Sequence, residues 1–207
     1  MMKKSNSLFG KNIKNFTLAF ALIAILALGA SCSKSDDAVP EKIYEEENPL
    51  ALYLQGSGFN AATTNFINSG NYEFGYRFSP KVKGKINAIT FKIPDNATNT
   101  RVTIWDNATK TVLKTITIPT TTANVEIKTA IEPFQLEANK EYLITYNGND
   151  WYKRNKVDNS DSTYPIASGN ISILGYQWIG GSTQTYPTNL SSNYYAGDLS
   201  IVFQQMD

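Results

Sequence analysis

Tyr72-Glu73-Phe74-Gly75-Tyr76-Arg77-Phe78 (YEFGYRF) is the stretch that decides the fold class of this chain. Its four aromatic residues occupy every second position, and Glu73, Gly75 and Arg77 lie between them. Residues two apart share one face of a β-strand. The stretch therefore predicts a strand with one aromatic face and one polar face.

The same alternation recurs along the chain, and no convincing helical period is found from Leu50 onward. Its apolar positions are Ile89, Phe91 and Ile93, Val102 and Ile104, Ile116 and Ile118, Val125 and Ile127, Tyr142, Ile144 and Tyr146, and Leu199, Ile201 and Phe203. Polar turns are predicted at residues 94–96, 106–109 and 147–150. Strands with one apolar face must bury it against another sheet. We expect an all-β fold, an antiparallel β-sandwich of the jelly-roll or immunoglobulin-like kind.

Several of these strands resemble one known family. The segments that carry the resemblance are residues 74–78, 84–91, 101–106, 111–115, 140–146 and 194–203. Together they resemble the domain of unknown function DUF4082, over about residues 72–147 and 194–204. The resemblance implies a β-sandwich of extracellular proteins, sometimes found beside carbohydrate-active modules, and it implies no activity. Trp105 matches a tryptophan of the family and is predicted to be structural.

The first 31 residues are typical of an export signal. Four lysines and no acid open the chain, and residues 16–30 are apolar apart from Thr17. This run is shorter than the roughly 20 residues that span a bilayer, and small residues follow it, as in a secretory signal peptide. Without residues 1–31, the net charge changes from +1 to −3. A weakly acidic mature chain has no electrostatic footprint for nucleic acid.

Cys32 is the only cysteine of the chain, and Gly29, Ala30 and Ser31 precede it. We predict that it is the acylated N-terminus of a bacterial lipoprotein, which would anchor the protein in a membrane. The alternative is a free thiol or an intermolecular disulfide. Residues 33–37 (SKSDD) resemble the signals that follow the lipidated cysteine in Bacteroidetes surface lipoproteins. That resemblance implies a lipid anchor in the outer membrane and exposure at the cell surface.

Three parts of the chain follow from these patterns. Residues 1–31 are the predicted signal peptide, residues 32–49 a lipid-anchored acidic tether, and residues 50–207 a single β-sandwich domain. The tether prediction rests on Pro40, Pro49 and the acidic run of residues 45–47.

The composition excludes several kinds of catalytic site. The chain has no histidine and no cysteine besides Cys32, which excludes Ser-His-Asp and Cys-His sites and His- or Cys-based zinc sites. No phosphate-binding glycine loop is present, and no cofactor is predicted. A pair of carboxylates could hydrolyse glycosides, and the candidates are Glu73, Asp106, Asp150 and Asp161. The sequence places no two of them at a working separation, and the other catalytic chemistries are excluded, so we expect a protein that is not an enzyme.

Aromatic residues concentrate in the last third of the chain, near the polar segments 147–150 and 189–193. Aromatic faces beside polar side chains can stack on sugar rings and bind their hydroxyls. The predicted ligand-binding residues are Trp151, Tyr152, Arg154, Tyr176, Trp178 and Tyr186. Core packing is the competing interpretation, since such rings bury about 150–250 Å² each in sandwich cores. An exposed, coplanar set of Trp151, Trp178 and Tyr186 would favour sugar binding.

Residues 158–162 (DNSDS) carry oxygen ligands that calcium prefers, but they lack the glycine and glutamate of an EF-hand. We interpret them as a solvated loop and predict no metal site. The sequence as a whole favours a surface-anchored lipoprotein with a carbohydrate-binding module. The alternative is a structural or adhesive envelope protein without a small ligand, and the oligomeric state is open.

Overall fold

The fold is taken from a computed structural model that describes residues 42–207, and only the backbone of residues 62–69. The predicted signal peptide, Cys32 and the first part of the predicted tether lie outside the described residues. Within residues 42–207, no helix combines the length and hydropathy that are needed to cross a bilayer.

The described chain forms one helix and twelve strands. They are β1 (Glu46–Glu47), α1 (Leu50–Ser57), β2 (Ala61–Pro80), β3 (Gly84–Lys92), β4 (Ala97–Asp106), β5 (Val112–Thr121), β6 (Ile127–Leu136), β7 (Tyr142–Asn155), β8 (Ile166–Ser168), β9 (Ile171–Gly180), β10 (Asn189–Ser191), β11 (Tyr194–Ala196) and β12 (Asp198–Gln205).

The strands form two antiparallel sheets. The smaller sheet has the order β1-β12-β3-β6, and the larger has the order β10-β9-β2-β7-β4-β5, with β8 paired to β9 and β11 paired to β7. The two sheets pack face to face as a sandwich, which confirms the predicted fold class.

Aromatic residues join the two sheets at the core. Phe74, Tyr76 and Phe78 are all buried, as the alternation in the first strand predicts. Tyr146 of β7 packs against Phe74 with ring centroids 4.2 Å apart, and against Phe91 of the opposite sheet at 4.7 Å. Buried rings of this size carry a large share of the hydrophobic stabilisation. The period of two therefore identifies the buried face correctly.

Helix α1 is a correction to the expectation that no helix follows Leu50. It has eight residues, which is too short to show a helical period in the sequence. Gly58, in the left-handed region with φ 74°, ends it. Tyr53 is fully buried and packs edge-on against Tyr195 at 5.1 Å. Tertiary packing therefore holds a helix that would be marginal by itself.

Two local predictions were wrong. Residues 147–150 were predicted as a turn, but they lie inside β7. The irregularity lies in the facing strand β2. Ile67 pairs with Asp150 and Tyr72 pairs with Gly148, so β2 has more residues between these two pairs than β7 has, and the additional residues form a bulge in β2. Val125 was predicted in a strand, but it lies in a turn, half exposed, and β6 begins at Ile127.

The folded part also begins before Leu50, within the predicted tether. Glu46 and Glu47 form β1 and pair with Gln204 and Phe203 of β12. The Glu47 carboxylate accepts hydrogen bonds from the backbone N–H of Asn170 at 2.8 Å and from its side-chain amide at 2.5 Å. The acidic run is therefore partly a structural element, because its carboxylates find donors in the domain.

Candidate functional site

An aromatic pocket with a volume of about 210 Å³ lies where β2, β7, β9 and β11 meet. Six aromatic residues line it: Tyr72, Phe74, Trp151, Tyr176, Trp178 and Tyr194. Lys153 and Ala196 complete the lining. We name this site the aromatic pocket.

The strand register explains how these side chains meet. Phe74 of β2 faces Trp178 of β9, and Tyr76 faces Tyr176, so the rings of both strands share one face. Trp151 enters from β7 and packs edge-on against Phe74 at 5.1 Å. Residues far apart in sequence thus become neighbours through strand pairing.

The pocket has a buried floor and a half-exposed rim. Phe74, Tyr176 and Trp151 form the floor and are 2 %, 2 % and 7 % exposed. Tyr72 and Trp178 are half-buried at the rim, together with Tyr194.

The rings of the pocket meet at angles. Tyr72 meets Trp151 at 5.7 Å with an interplanar angle of 76°, and Trp178 at 5.9 Å with 54°. The aromatic residues therefore form a cage around a small volume, not a flat platform.

Few of the described polar groups border the cage. The Trp178 Nε1–H donates to Ser191 Oγ at 3.2 Å, and the Lys153 ammonium lies 4.6 Å from the centre of the Tyr194 ring. Burial raises the pKa of Tyr194, and it raises that of Tyr176 well above the ordinary value. Both hydroxyls therefore stay neutral at physiological pH. The site offers apolar ring surfaces, hydroxyls and one cation.

Comparison with protein families matches residues 60–196 to the domain of unknown function DUF4082. The chain belongs to the DUF4082 family. The match extends through residues 148–193, which the resemblance did not include, so every residue that lines the aromatic pocket lies within the DUF4082 domain. No curated protein matches the chain.

The DUF4082 domain brings together three of the six predicted ligand-binding residues, Trp151, Tyr176 and Trp178. Tyr152, Arg154 and Tyr186, the other three, lie outside the pocket lining.

Tyr152 and Arg154 alternate with Trp151 and Lys153 along β7 and so point to the other side of the strand. The Tyr152 hydroxyl donates to Asn124 Oδ1, and the Arg154 guanidinium binds the Asp198 carboxylate, with Nε–Oδ1 at 2.7 Å.

Tyr186 lies on the other face of the larger sheet. Its ring packs edge-on against Trp105 at 5.7 Å, and its hydroxyl donates to Asn107. Trp105 is 3 % exposed and donates from Nε1 to the Thr145 hydroxyl at 2.8 Å, in keeping with its predicted structural role. Trp151, Trp178 and Tyr186 therefore form no coplanar set.

Sequence reasoning missed five pocket residues: Tyr72, Phe74, Lys153, Tyr194 and Ala196. Tyr72 and Phe74 belong to the alternating stretch that indicated a core strand, and nothing in the alternation separates its rim from its core. Lys153 could have been found from its position two residues after Trp151, because that spacing puts both on one face of a strand.

The four carboxylates that were considered for catalysis each have a local role. Glu73 accepts a hydrogen bond from Thr145 Oγ1 at 2.5 Å and from Arg101 Nη2 at 2.7 Å. Asp106 accepts from the backbone of the turn that follows it and pairs with Lys140 at 2.7 Å. The Lys140 ammonium lowers the pKa of Asp106 to about 2.

Asp150 and Asp161 are likewise engaged elsewhere. Asp150 accepts from the backbone N–H of Asp95 at 2.8 Å, and burial raises its pKa. Asp161 accepts from Ser192 Oγ at 2.7 Å. None of the four carboxylates lines the aromatic pocket.

The loop that was considered for calcium is held by its own hydrogen bonds. Asp158 Oδ1 accepts from the backbone N–H of Ser160 at 3.0 Å and from its hydroxyl at 2.8 Å. These contacts lower the pKa of Asp158, with the bond to the Ser160 backbone as the main cause. Across residues 42–207, no three histidine, cysteine or acidic side chains come close enough to hold a metal ion.

Proposed function

We propose that this protein is a lipid-anchored, non-enzymatic binding module of the cell surface, and that its DUF4082 domain holds carbohydrate in the aromatic pocket. The observation that carries the proposal is the cage of six aromatic side chains around a volume of about 210 Å³. A concave, largely aromatic site with few polar groups is the usual form of a small-molecule site.

The chemistry of the cage suits a sugar ring. A pyranose has apolar C–H faces and a polar edge of hydroxyls, so it can contact both rings and hydrogen-bonding groups. Trp178 and Tyr72 at the rim supply ring surfaces, and the Tyr194 hydroxyl and Ser191 supply polar atoms beside them. The conformational-entropy cost of such a contact is low, because each aromatic side chain has only two χ angles to fix.

The location in this proposal rests on the sequence pattern before the domain. Residues 1–31 have the basic start and apolar core of an export signal, and Cys32 follows small residues. Acyl chains on Cys32 would give stable attachment to the outer membrane, since each buried methylene contributes about 0.8 kcal/mol. The surface-directing pattern of residues 33–37 would then place the DUF4082 domain outside the cell.

The binding part is tested with a glycan array and the full chain solubilised in detergent. We expect binding to a defined set of glycans and a loss of about tenfold in affinity for Trp178→Ala, which removes a ring contact worth about 1.4 kcal/mol. Tyr186→Ala is the matched control, because Tyr186 is also a half-buried ring but packs against Trp105 outside the pocket. Absence of binding by folded protein, or equal losses in both variants, would refute the proposal.

The anchor is tested separately with Cys32→Ser. This substitution should abolish acylation and leave an uncleaved precursor, which is measured by metabolic labelling with a fatty acid and by mass. Mature, membrane-bound protein in the Cys32→Ser strain would contradict the anchor.

A second function, a structural or adhesive envelope protein, is favoured by exposed apolar residues at both edges of the larger sheet. Val112 and Leu113 on β5 are 42 % and 38 % exposed, and Leu190 on β10 is 67 % exposed. Edge strands with apolar side chains can pair with other chains. Under this alternative, Leu190→Lys would reduce self-association in analytical ultracentrifugation, and Trp178→Ala would leave that self-association unchanged.

A further inference from the structure

Among the described residues that line the aromatic pocket, Lys153 is the one charged side chain. It lies two residues after Trp151 on β7, and its ammonium is 4.6 Å from the centre of the half-buried Tyr194 ring. The cation thus borders the apolar cage directly.

Within the described part of the chain, Lys153 has no carboxylate partner. Residues 62–69, which run beside it on β2, contain no Asp or Glu in the sequence. All three arginines, by contrast, are paired: Arg77 with Glu141, Arg101 with Glu73, and Arg154 with Asp198. A half-buried cation without a counter-charge is a place where an anionic group can bind favourably.

We propose that the aromatic pocket selects a sugar ring that carries a carboxylate, a hexuronate, and that Lys153 pairs with that carboxylate. This inference rests on the proposed carbohydrate-binding function. The ring lies in the cage of Tyr72, Trp151 and Trp178, and the carboxylate accepts a charge-assisted hydrogen bond from the Lys153 ammonium.

The size and the charge of the pocket restrict the range of ligands further. Pockets that hold drug-sized ligands have volumes of about 300–1,000 Å³, so the volume of about 210 Å³ suits a single sugar ring inside the cage. Aromatic cages also bind ammonium groups through cation–π contacts. Lys153 already places a cation at the Tyr194 face and repels a second one. The site therefore favours an anion over a cation of the same size.

The test compares uronate oligosaccharides with the same oligosaccharides after reduction of their carboxyl groups to primary alcohols. The panel contains galacturonate, glucuronate and mannuronate units, and binding to the full chain in detergent is measured by isothermal titration calorimetry. We expect at least one uronate to bind about tenfold more tightly than its reduced form, and salt to weaken that preference.

Lys153→Met keeps the length of the side chain and removes its charge, so it should abolish the preference while binding of the reduced sugar persists. Lys153→Arg should retain the preference. Lys92→Met is the matched control, since the Lys92 ammonium also lies over a tyrosine ring, Tyr152 at 5.5 Å, but outside the pocket.

Each outcome has one meaning. Equal or tighter binding of the reduced sugars by the unaltered protein overturns this inference and leaves the proposed function standing. A preference that persists in Lys153→Met overturns the role of Lys153. A third outcome is that protein with a native circular dichroism spectrum binds neither form of the sugars and also binds nothing on the glycan array. This outcome overturns the proposed function and this inference together.

Discussion

Arg101→Met should destabilise the domain strongly, because it leaves the Glu73 carboxylate buried without its cation. The Glu73 side chain is 0 % exposed, and that of Arg101 is 27 % exposed. Glu73 Oε2 accepts from Arg101 Nη2 at 2.7 Å, and the other oxygen accepts from Thr145 Oγ1 at 2.5 Å. After the substitution, the Thr145 hydroxyl is the one remaining described donor to the charge.

The size of the effect follows from this asymmetry of burial. Removing one partner of a buried ion pair costs about 3–5 kcal/mol, and the partial exposure of Arg101 places this pair near 3 kcal/mol. Glu73→Gln alone should cost about 1–2 kcal/mol, since it weakens the hydrogen bonds of a buried group. In the Arg101→Met background, the same substitution should restore about 1–2 kcal/mol, because the buried group is then neutral.

The free energy of unfolding is measured for the four proteins of this cycle by urea denaturation at neutral pH, followed by tryptophan fluorescence. Lys128→Met is the control: Lys128 Nζ and Glu46 Oε2 are also 2.7 Å apart, but their side chains are 55 % and 37 % exposed. That exposed pair should contribute about 1 kcal/mol or less. If Glu73→Gln has the same effect with and without Arg101, the buried charge is not the cause and the reasoning is refuted.

Three further predictions concern the core and the turns. Gly75→Ala should cost about 3 kcal/mol in urea unfolding, because its Cβ would lie 1.8 Å from the Ile144 carbonyl oxygen; an unchanged midpoint would contradict this strand contact. Lys140 lowers the pKa of Asp106 from 3.8 to about 2, so the stability that Asp106 contributes is present above pH 4 and lost as pH falls towards 2. Asp106→Asn should flatten the unfolding free energy in this range, and an unaltered acid profile would exclude Asp106. Tyr195→Phe removes a buried hydroxyl that hydrogen-bonds the backbone of Leu199, and it should lower the free energy of unfolding in urea by about 1–2 kcal/mol. An unchanged free energy of unfolding would contradict the contribution of this hydroxyl.

The alternating stretch at residues 72–78 predicted its strand and buried face correctly, but it could not predict the surroundings of the polar face. Glu73 lies on that face and is nevertheless fully buried. The reason is the segment after β9, where Gly181 accepts from Asn147 and the Ser182 carbonyl accepts from Arg101. A period of two separates the faces of a strand, and it carries no information on which distant segment covers each face.

The sequence predicts only some of the residues that line the pocket, because it does not show which distant strands pair. The cluster of aromatic residues in that region indicates Trp151, Tyr176 and Trp178, but it indicates Tyr152 equally, and Tyr152 points to the other side of β7. Tyr72 was assigned to a core strand, and the register between β2 and β9 places it at the rim. Local composition shows which residue types are abundant in a region, but a binding site depends on the direction in which each side chain points.

The sequence by itself determined the all-β class, the alternating faces of the strands and the family resemblance at residues 72–78 and beyond. These properties are local, since backbone geometry alone makes successive side chains of a strand alternate. Only the tertiary structure decided that rings from residues 72 to 194 form one cage beside Lys153, and that Arg154 and Tyr186 lie outside it. That arrangement depends on which strands pair and in which register, and pairing is decided by contacts between residues far apart in the chain.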